Sequence, residues 1–298
     1  MEKASKAGRV TGRPPFGLAA EGGARHKGAM QKDESTLCGL ARAVLATAEA
    51  SQKARSSRRA VSAWRNGALS GVGQPSAPDR PARPASPALR PPREVPRRKI
   101  NSNPQGRIAL LHALAHIELN AIDLAWDIIA RFASGDLPKE FFNDWVTVAD
   151  EEGKHFLLLE ARLGELGAAY GDLPAHDGLW QASEETAGDL LARLAIVPMV
   201  LEARGLDVTP AMIEKLKAAG DGESASILEI IYREEIGHVA SGRRWFDWLC
   251  HARGQDPKAT WQALVKQHFR GRLKPPFNAP ARLEAGLPED FYAPLALD

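Results

Sequence analysis

The arrangement Glu…Glu-x-x-His occurs twice in this 298-residue chain, and it restricts the possible folds more than any other feature. Glu152 and His155 form the first Glu-x-x-His pair, 34 positions after Glu118, and Glu235 and His238 form the second, 33 positions after Glu202. Three steps along an α-helix turn about 300°, so the Glu and His of each pair share one face and can address one point. Glu118 and Glu202 each lie in an apolar helical run of their own. Two helices then supply a single glutamate and two supply Glu-x-x-His, the inventory of a four-helix bundle with two metal ions in its core.

The surroundings of these glutamates support that reading. Ala115-His116-Ile117-Glu118-Leu119 and Pro198-Met199-Val200-Leu201-Glu202-Ala203 are strongly apolar. Burying an unpaired carboxylate there costs several kcal/mol, which shared cations would remove. Imidazole suits borderline metals such as iron and carboxylates suit harder ones, and the same ligands serve iron and manganese alike. Glu151 and Glu234 precede the pair glutamates in both halves, and metal-bound histidines commonly donate their other ring N–H to such a carboxylate. Tyr232, three positions before Glu235, is expected near the same face. His112 and His116 are read as structural or supporting groups, because His116 and Glu118 point about 200° apart around one helix. Pro198 removes a backbone donor one turn before Glu202, so a kink is expected in the third helix.

Composition sets the outer bounds. The chain is 44% hydrophobic and 26% charged, as in ordinary soluble proteins. Aromatic residues make up only 6% while Ala and Leu abound, which favours helix. No stretch approaches the ~20 uninterrupted apolar residues of a membrane span, so no membrane partner is expected. Cys38 and Cys250 cannot build a disulfide framework, which makes a reducing cytoplasm the expected compartment. The net charge of +2 is unevenly spread: residues 75–99 carry a local +5 and residues 251–282 a local +6, leaving the middle acidic. Such basic flanks attract polyanions when they are not simply solvated surface.

Residues 1–34 read as a disordered extension, Gly- and Arg-rich and without the apolar core of a signal peptide. An N-terminal helical segment over 35–74 opens at Ser35-Thr36, where Leu37, Leu40, Ala41, Val44 and Leu45 predict one helix to about Ala60. In 75–100, prolines at 75, 78, 81, 84 and 87 keep the period of a polyproline II helix and predict a stiff strap. The bundle occupies 101–270. Its helices are expected over Pro104–Phe132, from Pro138 to about Leu166, from a cap at Ser183-Glu184-Glu185 to Gly205, and over Glu223–Cys250. Shorter ones are expected from Thr209-Pro210 to Ala219 and near Pro257–Phe269. An extended, Pro-rich tail is expected over 271–298. No strand pattern of useful length appears, and the class is all-α.

The run Leu111-His112-Ala113-Leu114-Ala115-His116-Ile117-Glu118-Leu119-Asn120-Ala121-Ile122-Asp123-Leu124, with Pro275-Pro276-Phe277-Asn278, resembles the bacterial ferritin-like family catalogued as domain of unknown function 455. The resemblance extends from about Leu37 to the C-terminus. Members of that family are similar to the tRNA-modifying isopentenyladenosine hydroxylases, which are di-iron monooxygenases. The resemblance implies a ferritin-like bundle holding two iron ions (Fe2+/Fe3+) on Glu118, Glu152, His155, Glu202, Glu235 and His238, the four glutamates serving catalysis. It supplies no substrate. The function expected is O2-dependent hydroxylation or oxidation of a small molecule or nucleic acid, such as a nucleotide or tRNA. An external electron donor and a monomer or small homo-oligomer go with it. A ferroxidase without organic substrate and a structural or adaptor bundle are the alternatives.

Overall fold

The computed structural model describes residues 35–91, 94–95 and 103–296; the extension expected over residues 1–34 lies outside them. Among the described residues every regular element is helical, in a helical bundle. Two helices lead, α1 (Leu37–Leu45) and α2 (Ala50–Arg65), followed by the long α3 (Pro104–Phe132) and α4 (Lys139–Glu165). Short α5 (Gly178–Glu185) precedes α6 (Leu190–Ile196), which runs through a π-helical segment (Val197–Glu202) into α7 (Ala203–Ala218). The chain closes with α8 (Gly222–Ala252), α9 (Pro257–His268), α10 (Ala279–Glu284) and α11 (Glu289–Tyr292). α3 packs on α4, α7 and the π segment on α8, and α4 on α8; α1 and α2 cover α3 and α4 from outside.

The long helices begin where side chains can replace missing backbone partners. Asn103 accepts from Gln105 N, with Pro104 in the first turn, and opens α3. Asp221 accepts from Ser224 N and opens α8. α3 is long and apolar enough to cross a bilayer by length and composition, and 78% of its most apolar window is buried inside the bundle.

Four local expectations change. The single N-terminal helix is two helices, because the Glu49 carboxylate accepts from Ser51 N and Gln52 N and starts α2 afresh. Ser183-Glu184-Glu185 end α5 instead of starting the third helix; Asp189, accepting from Leu191 N, caps the apolar run that follows. Thr209-Pro210 start nothing, since α7 runs straight through them. A proline there leaves the carbonyl four residues back without its donor; Leu206 O is instead satisfied by Asn278 Nδ2 at 3.1 Å. The C-terminal stretch, expected to be extended, folds back as α10 and α11, fastened by the buried Arg282–Asp207 ion pair.

The proline-rich strap lies over the helices. Ser76 N donates to Ala130 O, Ala82 N to Leu45 O and Arg90 N to Ala175 O. Arg80 pairs with Asp177 and Glu184, and Arg83 with Asn120 and Asp123, so these two charges are answered within the fold. Beneath them Lys53, fully buried, binds Asp123 and Ala82 O.

Candidate metal centre

Glu118 comes from α3, Glu152 and His155 from α4, Glu202 from the last position of the π segment, and Glu235 and His238 from α8. Their side chains converge. Glu118, Glu152, His155 and Glu235 offer ligand atoms within 4.8 Å of one another, and so do Glu202, Glu235 and His238. Glu235 belongs to both groups, and Glu152 lies between the two imidazoles, 3.6 Å from His155 Nδ1 and 3.0 Å from His238 Nδ1. The rings stand 5.9 Å apart. Each group sits close enough to hold a metal ion.

The hydrogen-bond inventory points the same way. Glu118 Oε2, both oxygens of Glu152, Glu202 Oε2, Glu235 Oε2 and the Nδ1 atoms of His155 and His238 are buried without a hydrogen-bond partner among the described residues. Buried polar atoms are rarely left so. Here all six residues contribute one, all facing a common space. The outward ring nitrogens are fully engaged, crosswise between helices: His155 Nε2 meets Glu234 of α8 at 2.7 Å, and His238 Nε2 meets Glu151 of α4 at 2.8 Å. Lys154 completes the Glu234 contact at 2.5 Å. These partners leave Nδ1 of each ring to face inward.

Electrostatics follow from crowding four carboxylates in a dry core. Burial, then repulsion from Glu152, pushes the Glu118 carboxyl well above the usual range. Burial and Glu235 do the same to Glu202. Burial also opposes ionisation of Glu152, but His155 and His238 outweigh it and hold that carboxyl low. Burial disfavours charge on both rings; nevertheless Glu118, Glu152 and Glu234 raise His155, and Glu235, Glu151 and Glu152 raise His238. The His155 contact brings Glu234 down to about 2.

Glu202 owes its position to the π segment. Its wider turn carries Pro198 against α8 at Gly242, where a Cβ would stand 2.3 Å from Pro198 Cγ. The expected kink is a π-helical turn, a feature common at functional sites.

Other predicted residues serve elsewhere. The Tyr232 hydroxyl accepts from Asn278 Nδ2 at 2.9 Å and so fastens the C-terminal segment, with no bond to the six groups. His116 bonds Tyr170 Oη at 2.8 Å and His176 O at 3.0 Å, and burial brings its ring down to about 4. His112 accepts from Gly171 N and Leu173 N. Both histidines brace the connection between α4 and α5.

A cavity of about 220 Å³ opens beside the carboxylates, between α3 and α7. Glu118, Glu152, Glu202 and Glu235 reach one side of it; most of the remaining wall is aliphatic, including Ile117, Leu124, Val197, Leu201 and Ile231. Arg204 lines it as well. Neither this cavity nor Arg204 was legible in the repeat of glutamates and histidines, since no periodicity marks a gap between helices.

Residues 46–293 match the family described as "Protein of unknown function (DUF455)", and the chain belongs to that family. An uncharacterized protein of Haemophilus influenzae is 43% identical over 200 residues, covering 65% of this chain and 69% of the relative. No solved structure matches.

Proposed function

We propose that this chain is a di-iron carboxylate oxidoreductase of the ferritin-like type, catalysing O2-dependent hydroxylation or oxidation of a substrate whose apolar part enters the cavity between α3 and α7. The observation that carries this reading is the set of orphaned atoms, at least one from each of Glu118, Glu152, His155, Glu202, Glu235 and His238, around one buried space. Four carboxylates carry the charge that two divalent cations neutralise, and two imidazoles complete the donor set. Glu235, common to both groups of donors, and Glu152, 3.6 and 3.0 Å from the two imidazoles, stand between the two halves of the site. Iron bound there would supply the redox chemistry, with two electrons from an external donor, one oxygen atom going to substrate and the other to water.

The protein's own part is positional. Glu151 and Glu234 fix the imidazole tautomers, and the aliphatic wall excludes water from the reacting face. That wall also favours an organic substrate over iron storage, for which a path lined by polar ligands would serve better. Manganese satisfies the same donors, so elemental analysis makes the choice.

The test is anaerobic purification with metal analysis, followed by O2 uptake with and without cell extract. Two iron ions per wild-type chain are expected, and their loss in the Glu152→Ala/Glu235→Ala double variant. A folded double variant that retains both ions overturns the ligand assignment. O2 uptake indifferent to extract supports ferroxidase activity instead.

A further inference from the structure

Among the described residues, Arg204 is the one charged group lining the cavity that the metal reading leaves unused. It is the second residue of α7, lines the cavity and keeps 40% of its side chain exposed, which sets it at the opening. Its Nη1 donates to Lys274 O at 2.6 Å and Pro276 O at 3.2 Å, and reaches Asp207 Oδ2 at 3.3 Å. No bond occupies Nε or Nη2 among the described residues. Asp207 is a poor counter-charge for it, because Arg282 already takes both carboxylate oxygens, at 2.8 and 2.7 Å. Two guanidinium groups share one carboxylate. One positive charge and free N–H donors therefore remain at the rim of a cleft whose wall away from the four glutamates is mostly aliphatic.

Size narrows the occupant. An apolar cavity of ~150 Å³ holds benzene, so by proportion this one, at about 220 Å³, has room for about nine carbons. That is too small for a whole nucleotide and suited to one apolar group.

We propose that the cleft binds an anionic amphiphile: a short aliphatic group lies against Ile117, Leu201 and Ile231, and a carboxylate or phosphate at its other end is held by Arg204. The apolar end is then the one that faces Glu118, Glu152 and Glu235. This names a substrate class for the oxidoreductase reading and rests on it only for the ligand's role as substrate, since binding itself needs no metal.

The experiment is calorimetric titration of the full chain, metal-loaded and metal-stripped, with octanoate, octyl phosphate and 1-octanol. Both anions should bind at least tenfold more tightly than octanol, as a charge-assisted hydrogen bond in a partly buried site provides, in either metal state; comparing the two anions shows which head group Arg204 prefers. Arg204→Gln should bring the anions to the octanol level and leave octanol unchanged, while Arg204→Lys keeps part of the preference. Met212→Trp, filling the cleft, should abolish all three, with thermal melts certifying that each variant is folded. Equal affinity for octanol and octanoate, no binding, an indifferent Arg204→Gln, or anion binding that vanishes with the metal would each overturn the proposal. Two bound ions without octanoate binding would defeat this inference alone; Arg204-dependent binding in a chain that takes up no metal would defeat only the metal reading.

Discussion

Gly242→Ala provides a stringent test of how Glu202 is held. The added Cβ would stand 2.3 Å from Pro198 Cγ and 2.4 Å from its Cβ. Carbon atoms in contact rest about 3.5–4.0 Å apart, so the overlap exceeds an ångström. A proline ring has no flexible end to swing aside, and both partners belong to helices, so the π segment must retreat from α8. Overpacking of this kind costs about 1–3 kcal/mol, which for a domain of this size lowers the melting temperature by roughly 2–12 °C at ~2–4 °C per kcal/mol. Glu202 ends the displaced segment. Metal–ligand distances tolerate only about 0.2 Å, so the donors Glu202, Glu235 and His238 should lose their ion while Glu118, Glu152, His155 and Glu235 keep theirs. If the site takes two ions as proposed, elemental analysis of the reconstituted variant should therefore fall from two ions per chain toward one. Gly237→Ala is the control: it lies in the same helix, and its Cβ would meet nothing within 4 Å. It should keep both ions and gain about 0.5–1 kcal/mol from its better helix propensity. A Gly242→Ala protein with wild-type metal content and melting temperature would refute the argument.

Three further outcomes are expected. Glu151→Gln and Glu234→Gln should each weaken metal affinity about 10–100-fold while the fold persists, read by competition with a chromophoric chelator. Lys53→Met should cost about 3–5 kcal/mol in denaturant melts, because it leaves the fully buried Asp123 only its longer contact to Arg83 at 3.5 Å; adding Asp123→Leu should restore part of the loss, and equal stability of the single and double variants would discredit the pairing. The metal-stripped chain should lose stability as pH rises above 6.5. His155 and His238 have folded values above that reference, so their contribution is complete below it and disappears as they deprotonate. Metal uptake should correspondingly release protons and strengthen with pH, measurable by titration in buffers of different ionisation enthalpy.

Much of this protein is written in local pattern. The 3.6-residue period of apolar residues marks α3, α4 and α8 to within a few positions, because a buried helical face is a property of neighbouring residues. Glu-x-x-His carries its own geometry, since the face shared by positions three apart needs no partner to define it. The six residues whose side chains converge were therefore visible in the order of residues alone. Where two local signals competed, as at Thr209-Pro210, the pattern misled: a proline reads as a helix start unless a distant side chain rescues the freed carbonyl, and here Asn278 does so.

What only the tertiary structure decided are relations across the bundle. Glu151 supports the histidine 87 residues later, not its own, and Glu234 supports the one 79 residues earlier. The fit of Pro198 against Gly242, the cleft between α3 and α7, and the shortage of counter-charge at Arg204 likewise belong to no single segment. The helical period specifies which side chains share a face, but it carries no information about which face it will meet. That is settled by packing, where close approach, desolvation and charge are shared among residues far apart in the chain.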